Sequence, residues 1–327
     1  MTAERELRPA GTSMGEAPDG RKRAERRREP TLLEGPKLAT ASPTVGSYLV
    51  RKLGALGDKL TDVTPRVLAS GDDEEAVHDL RVALRRTRTV LEVGRPVLGR
   101  FQADEVRRAL KQVMDATGAL RDEEVQRALI ASLGVAHPDV AHWLEGRLRR
   151  ELRLRRALVR MVRAGTLEQG QRLLEALLAF RVNPARDRKL TKFARRAVDR
   201  ARRGVDRRRD APTADAEALH ELRIAYKRLR YTVETFADAL PSDLAVLAQP
   251  AARLQGRLGD LHDVDVAIGC VRRARSVSPE GRAELLAALG RERDARVASY
   301  RKEIGEAPPP PVSQPVGAEA LRKISTR

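Results

Sequence analysis

A single cysteine, Cys270, stands in 327 residues. An internal disulfide is therefore excluded, and a reducing, cytoplasmic interior is the expected compartment. Cys270 itself reads as a small core residue rather than a nucleophile. Aromatic residues make up only 3% of the chain, too few for the stacking platforms on which single-strand nucleic-acid binders depend. No apolar run approaches the ~18–20 residues that span a bilayer. The N-terminal charges are followed by no apolar segment, so neither membrane insertion nor a signal peptide is expected. Alternating apolar and polar runs bounded by turn signals are also missing, so no sheet is expected.

What the chain has instead is positive charge. It carries 64 Lys+Arg against 46 Asp+Glu, a formal charge of +18. Most of the excess lies between the two tails. Such a charge opposes compaction and attracts polyanions: nucleic acid, an anionic membrane surface or a phosphate polymer.

Residues 1–43 mix Gly, Pro, Ser, Thr and charge, including the basic run RKRAERRRE at 21–29, and read as a flexible basic tail. Residues 305–327 open with GEAPPPPVSQPVG and read as a second, proline-rich tail. The stretch 44–304 between them is helical nearly throughout. The spacing predicts helices near 45–69, 73–94, 102–133, 138–164, 167–181, 186–209, 214–239, 243–273 and 279–303. Starts are expected at Asp72 and Thr213. Stops are expected at Gly94-Arg95-Pro96, His137-Pro138, Asn183-Pro184 and Leu240-Pro241.

One basic motif is written twice. AVHDLRVALRRTRTVLEVGRPVL at 76–98 matches ALHELRIAYKRLRYTVETFADAL at 218–240. His78 falls on His220, Arg81 on Arg223, Arg85 on Lys227, Arg86 on Arg228 and Arg88 on Arg230. A second pair follows in the same order, GALRDEEV at 118–125 and GDLHDVDV at 259–266, with Asp122 on Asp263 and Arg121 on His262. Two matched stretches in order indicate an internal duplication. The expected fold is all-α: two pseudo-symmetric helical bundles, halves 44–165 and 185–304, between flexible tails.

At about 100° per residue, His78, Arg81, Arg85 and Arg88 form one stripe beside the apolar stripe of Val77, Leu80, Leu84 and Leu91. In the second copy His220, Arg223, Lys227 and Arg230 flank Leu219, Leu222, Tyr226 and Val233. Like charges at this spacing destabilise a helix, and no acid on the stripe relieves them. Either carboxylates such as Asp122 and Asp263 or a ligand must lie opposite. Guanidinium forks suit phosphate. The Lys189, Lys192, Arg195, Arg196, Arg200 and Arg203 run and the arginines from Arg147 to Arg163 each read alone as a solvated helix face, and together with the repeated stripes as the lining of a groove; Lys189, Arg195, Arg196, Arg253 and Arg257 are expected to contact the ligand.

These residues resemble the CHAD family of histidine-containing α-helical domains. The resemblance covers about 45–303 and rests on HDLRVALRRTR, HELRIAYKRLR and the two segments beginning at Gly118 and Gly259. It implies a module whose basic residues bind inorganic polyphosphate, often at polyphosphate granules; this chain is expected to be a stand-alone, non-enzymatic binding module with no cofactor or metal. It implies binding by His78, Arg81, Arg85, Arg86, Arg88, His220, Arg223, Lys227, Arg228 and Arg230. Arg121 and His262 share a position with different residues, and Glu124 stands where Asp265 does.

Two rivals are weighed. A nucleic-acid binder would use the same phosphate chemistry, yet no helix-turn-helix, zinc or RNA-recognition signature accompanies the charge. A metal-dependent phosphohydrolase is hinted at by His78-Asp79 and His262-Asp263. Against it, Glu221 replaces Asp79 in the repeat, and Arg121 beside Asp122 is a poor metal neighbour. A charged role for the histidines would make polyanion binding tighter at pH 6 than at pH 8.

Overall fold

A computed structural model describes residues 44–69, 73–179 and 187–306. The basic tail, the residues from 307 onward, Asp72 and the Asn183-Pro184 stop lie outside these. Among the described residues the fold is all-α. Eleven α-helices run in the order α1 (Val45–Ala69), α2 (Glu74–Leu98), α3 (Arg100–Ala109), α4 (Lys111–Ser132), α5 (Pro138–Arg163), α6 (Thr166–Ala179), α7 (Leu190–Asp206), α8 (Ala216–Phe236), α9 (Ser242–Ala245), α10 (Ala248–Arg272) and α11 (Pro279–Glu306). A 3₁₀ turn at Ala237–Ala239 closes α8. Among the described residues, the one extended contact is an isolated bridge from Thr44 to Lys189. None of the helices is long and apolar enough to cross a membrane.

Helix starts follow capping chemistry. Asp73 accepts from the N–H of Ala76 and opens α2. Asp215, rather than the expected Thr213, accepts from Glu217 and Ala218 to open α8. These caps satisfy N–H groups that have no partner inside the helix. His137-Pro138 separates α4 from α5, and α5 starts at 138 as expected: Pro138 enters the first turn, where its missing N–H costs nothing.

Three boundaries differ from the expected ones. α2 continues through Pro96 to Leu98 and stops at Gly99, whose φ of 98° only glycine adopts easily. The predicted 102–133 helix is two helices hinged at Leu110. That leucine is fully buried against Gly170 of α6, where any Cβ would come within 2.4 Å of its Cδ2. The predicted 243–273 helix breaks after α9 and restarts at Ala248, which puts Pro250 in the first turn of α10.

Packing is organised by neighbouring helices. α1 lies on α2, α3 on α6, and α4 on α5; further along, α7 lies on α8, α8 on α10, and α10 on α11. One core is built mainly from α1, α2, α3 and α6, with Leu49, Leu53, Leu80, Leu84 and Leu91 fully buried. A second gathers Val198, Leu222, Val233, Leu258 and Leu261 from α7, α8 and α10. A third joins Ile130 and Val140 to Val264, Val271 and Leu285. The repeated helices meet across these cores: α2 touches α8, and α4 touches α10. This crossing positions the site.

Candidate polyanion-binding site

Burying Val77, Leu80, Leu84 and Leu91 turns the basic flank of α2 toward α8. Burying Leu219, Leu222 and Val233 does the same for α8. Arg81, Arg85, Arg223 and Lys227 converge where the two flanks meet, each partly buried. Repulsion within the cluster shows in the protonation of Lys227, Arg81 and Arg85. Burial, then Arg223, Arg85 and Arg81, push the Lys227 ammonium down to about 8. Burial also lowers Arg81 and Arg85, with Asp122 holding Arg81 up and Tyr231 holding Arg85 up against neighbouring arginines.

The expected alternative, internal neutralisation by Asp122 and Asp263, is not what the geometry provides. No ion pair joins any of these four cations to a carboxylate among the described residues. Arg81 Nη1, Arg85 Nε and Arg223 Nε are buried without a hydrogen-bond acceptor. Asp122 is exposed. Asp263 is pushed above the ordinary carboxylate range by burial, although Arg223 and Arg121 draw it back. Donors left without acceptors in a partly desolvated place are costly unless something anionic meets them.

Tyr231, missed in the sequence reading, organises the cluster. Its ring is 6% exposed, and the Arg85 guanidinium sits 4.8 Å from its centroid, with Arg230 at 5.4 Å. A tyrosine following the HELR…RLR motif was the available signal, but Thr89 stands opposite in the first copy, so the repeat did not mark it.

The remaining expected residues divide. Arg86 is exposed and lines a cavity of about 350 Å³ with Lys59 and Tyr231. Arg88 is half-buried and donates to the carbonyl of Arg107 at 2.6 Å, and Arg230 pairs with Glu234 at 2.6 Å. Arg228 reaches across to Glu92 on α2 at 2.9 Å. His78 and Arg121 are exposed. His220 and His262 form a pair, Nδ1 to Nδ1 3.2 Å, with ring centroids 4.3 Å apart. Burial and Arg223 lower both, His262 to about 4. Burial and the neighbouring cations thus oppose charge on this pair in the free protein.

Other expected groove residues lie elsewhere. Arg253 and Arg257 face Glu303 of α11 at 2.8 and 3.8 Å. Arg147 and Arg150 hold Glu123 at 3.1 and 3.4 Å. Lys189, Arg195 and Arg196 line a separate cavity beside Asp238 and Pro241, past the far end of α8. A single groove for all of them would need α7 to present its basic face to α2, and α7 packs on α8 and α1 instead.

The second repeated segment acquires a role that its sequence did not announce. Glu124 on α4 pairs with Arg155 of the following helix at 2.8 Å, and Asp265 on α10 pairs with Arg293 of its following helix at 2.7 Å. The acid at this position ties each repeated pair of helices to the next. Among the described residues no three His, Cys, Asp or Glu side chains group as a metal site.

Comparison with known proteins identifies the fold. No curated protein matches the chain. Among solved structures, the CHAD domain from the plant Ricinus communis superposes with a TM-score of 0.62 at 19% identity, covering 83% of this chain and 95% of that one. PptA from Streptomyces chartreusis gives a TM-score of 0.62 at 16% identity, covering 81% and 100%. The family model for the CHAD domain matches residues 51–272, more than half of the chain, which therefore belongs to the CHAD family.

Proposed function

We propose that this protein binds inorganic polyphosphate, without catalysis, where α2 crosses α8. Membership of a family known to bind polyphosphate supports the ligand class. The observation that carries the site is the unpaired cluster of Arg81, Arg85, Arg223 and Lys227. Four cations held together at a desolvated crossing gain most from a ligand whose charges repeat at short intervals. Each guanidinium can give phosphate oxygens two parallel hydrogen bonds. Contacts of modest strength add through the connectivity of the polymer, so affinity rises with chain length. We further propose that the protein works in the cytoplasm at polyphosphate granules.

The test is competition at physiological salt. Labelled long-chain polyphosphate is displaced by unlabelled polyphosphate, duplex DNA or RNA at matched phosphate concentration. Displacement by polyphosphate alone is expected. Equal displacement by nucleic acid overturns the assignment, because counterion release is common to all three. Replacing Arg81, Arg85, Arg223 and Lys227 with Glu should weaken long-chain binding by roughly tenfold or more with helicity unchanged by circular dichroism, and an unchanged affinity would remove the site.

A further inference from the structure

The Lys189, Arg195 and Arg196 group sits apart from the crossing of α2 and α8. At about 1.5 Å per residue, the stretch of α8 from Arg223 to its end at Phe236 is ~20 Å long. The cavity that these cations line begins beyond that end. It has a volume of about 940 Å³ and a floor formed partly by Leu240 and Pro241.

Four cations line it, Lys189, Lys192, Arg195 and Arg196, all exposed and none in an ion pair among the described residues. One carboxylate, Asp238, also faces it, but Lys52 on α1 already holds that group at 2.8 Å. The first turn of α7 contains no acid, and Asp199, one turn beyond Arg195, forms no ion pair with these cations among the described residues. Clustered like charges oppose helix formation at this spacing. The arrangement therefore has an electrostatic cost in the isolated chain that a bound polyanion removes.

Resting on the reading above, we propose that this cavity is a second polyphosphate-binding surface, so that one molecule holds two separate segments of phosphate chain. A long chain occupying both surfaces binds through connectivity more tightly than either surface alone allows. Two different chains occupying them are cross-linked through the protein. A module with two such surfaces would condense polyphosphate rather than merely coat it.

The experiment uses the full chain with tripolyphosphate, which is too short to span both surfaces, and counts bound ligand by calorimetry. The wild type should take up two. A variant with Lys192→Gln, Arg195→Gln and Arg196→Gln should take up one and lose roughly tenfold or more in affinity for long chains. A variant with Arg81→Gln and Arg223→Gln should also retain one tripolyphosphate. If that second variant is indistinguishable from the wild type while the α7 variant binds none, the crossing site fails and the α7 surface stands. One tripolyphosphate on the wild type, with the α7 variant unchanged, overturns the second surface alone. If tripolyphosphate binds too weakly to count, unchanged long-chain affinity in the α7 variant overturns it equally. Duplex DNA that displaces ligand from the α7 surface at equal phosphate concentration refutes polyphosphate as its ligand.

Discussion

Arg81 lies against Gly118, so close that a Cβ built on the glycine would stand 3.4 Å from its Nη1. Arg223 repeats the relation with Gly259, at 3.6 Å from its Nε. In each copy an arginine of the repeated helix thus lies against the glycine of the repeated G-x-L segment, on α4 or α10.

The first prediction follows from those spacings. A methyl group at 3.4 to 3.6 Å is ordinary contact, so Gly118→Ala should leave binding intact. It should also stabilise α4 by about 0.5–1 kcal/mol, because glycine is a poor helix interior residue. Gly118→Leu should displace the Arg81 guanidinium and weaken polyphosphate binding several-fold with the fold retained. Thermal melts and a binding titration on the same two variants check both halves.

The pH dependence of binding should come from lysine rather than histidine. Lys227 titrates at about 8 in the free protein, and a bound polyanion favours its charged form. Binding should therefore take up a proton near pH 8, and affinity should fall between about pH 7 and 9 as the free ammonium loses its charge. Lys227→Arg should flatten that slope, whereas His262→Asn should leave it. Calorimetry in two buffers of different ionisation enthalpy measures the proton uptake directly.

Tyr231 holds Arg85 by its ring face, an interaction worth about 0.5–2 kcal/mol for a partly desolvated cation. Tyr231→Phe keeps the face and should bind nearly as the wild type does. Tyr231→Leu frees the guanidinium and should lower affinity by roughly three- to thirtyfold. A binding titration of the two variants separates loss of the ring from loss of the hydroxyl.

The acid tie of the second segment is a stability device. Arg155 is 4% exposed and pairs with Glu124. Arg155→Met leaves a carboxylate in a partly buried setting and should cost about 3–5 kcal/mol. Replacing both, Glu124→Leu with Arg155→Met, should recover most of that loss. Urea denaturation of the single and double variants gives the comparison, and polyphosphate affinity should move in neither once the protein is folded.

The helical content, the apolar faces of α2 and α8 and the basic stripe beside each were legible in the chain, because the α-helical period is a local property. Capping and breaking were partly legible. Asp215 rather than Thr213 opens α8, and Gly99 rather than Pro96 ends α2, since a cap is settled by one residue's geometry and several neighbours qualify. The hinge at Leu110 was not legible, because it depends on Gly170 of α6 making room for the leucine.

Among the charges the division is sharper. That Arg81, Arg85, Arg223 and Lys227 project from one side of their helices is determined by their spacing alone. That Arg88, Arg230, Arg253 and Arg257 have partners while those four do not, that burial and Arg223 oppose charge on His220 and His262, and that Lys189, Arg195 and Arg196 stand apart were decided only by tertiary packing. Periodicity sets the direction in which a side chain leaves its helix. The groups that meet it there come from segments distant in sequence, and their charge and the depth of burial determine whether a cation is neutralised or left for a ligand.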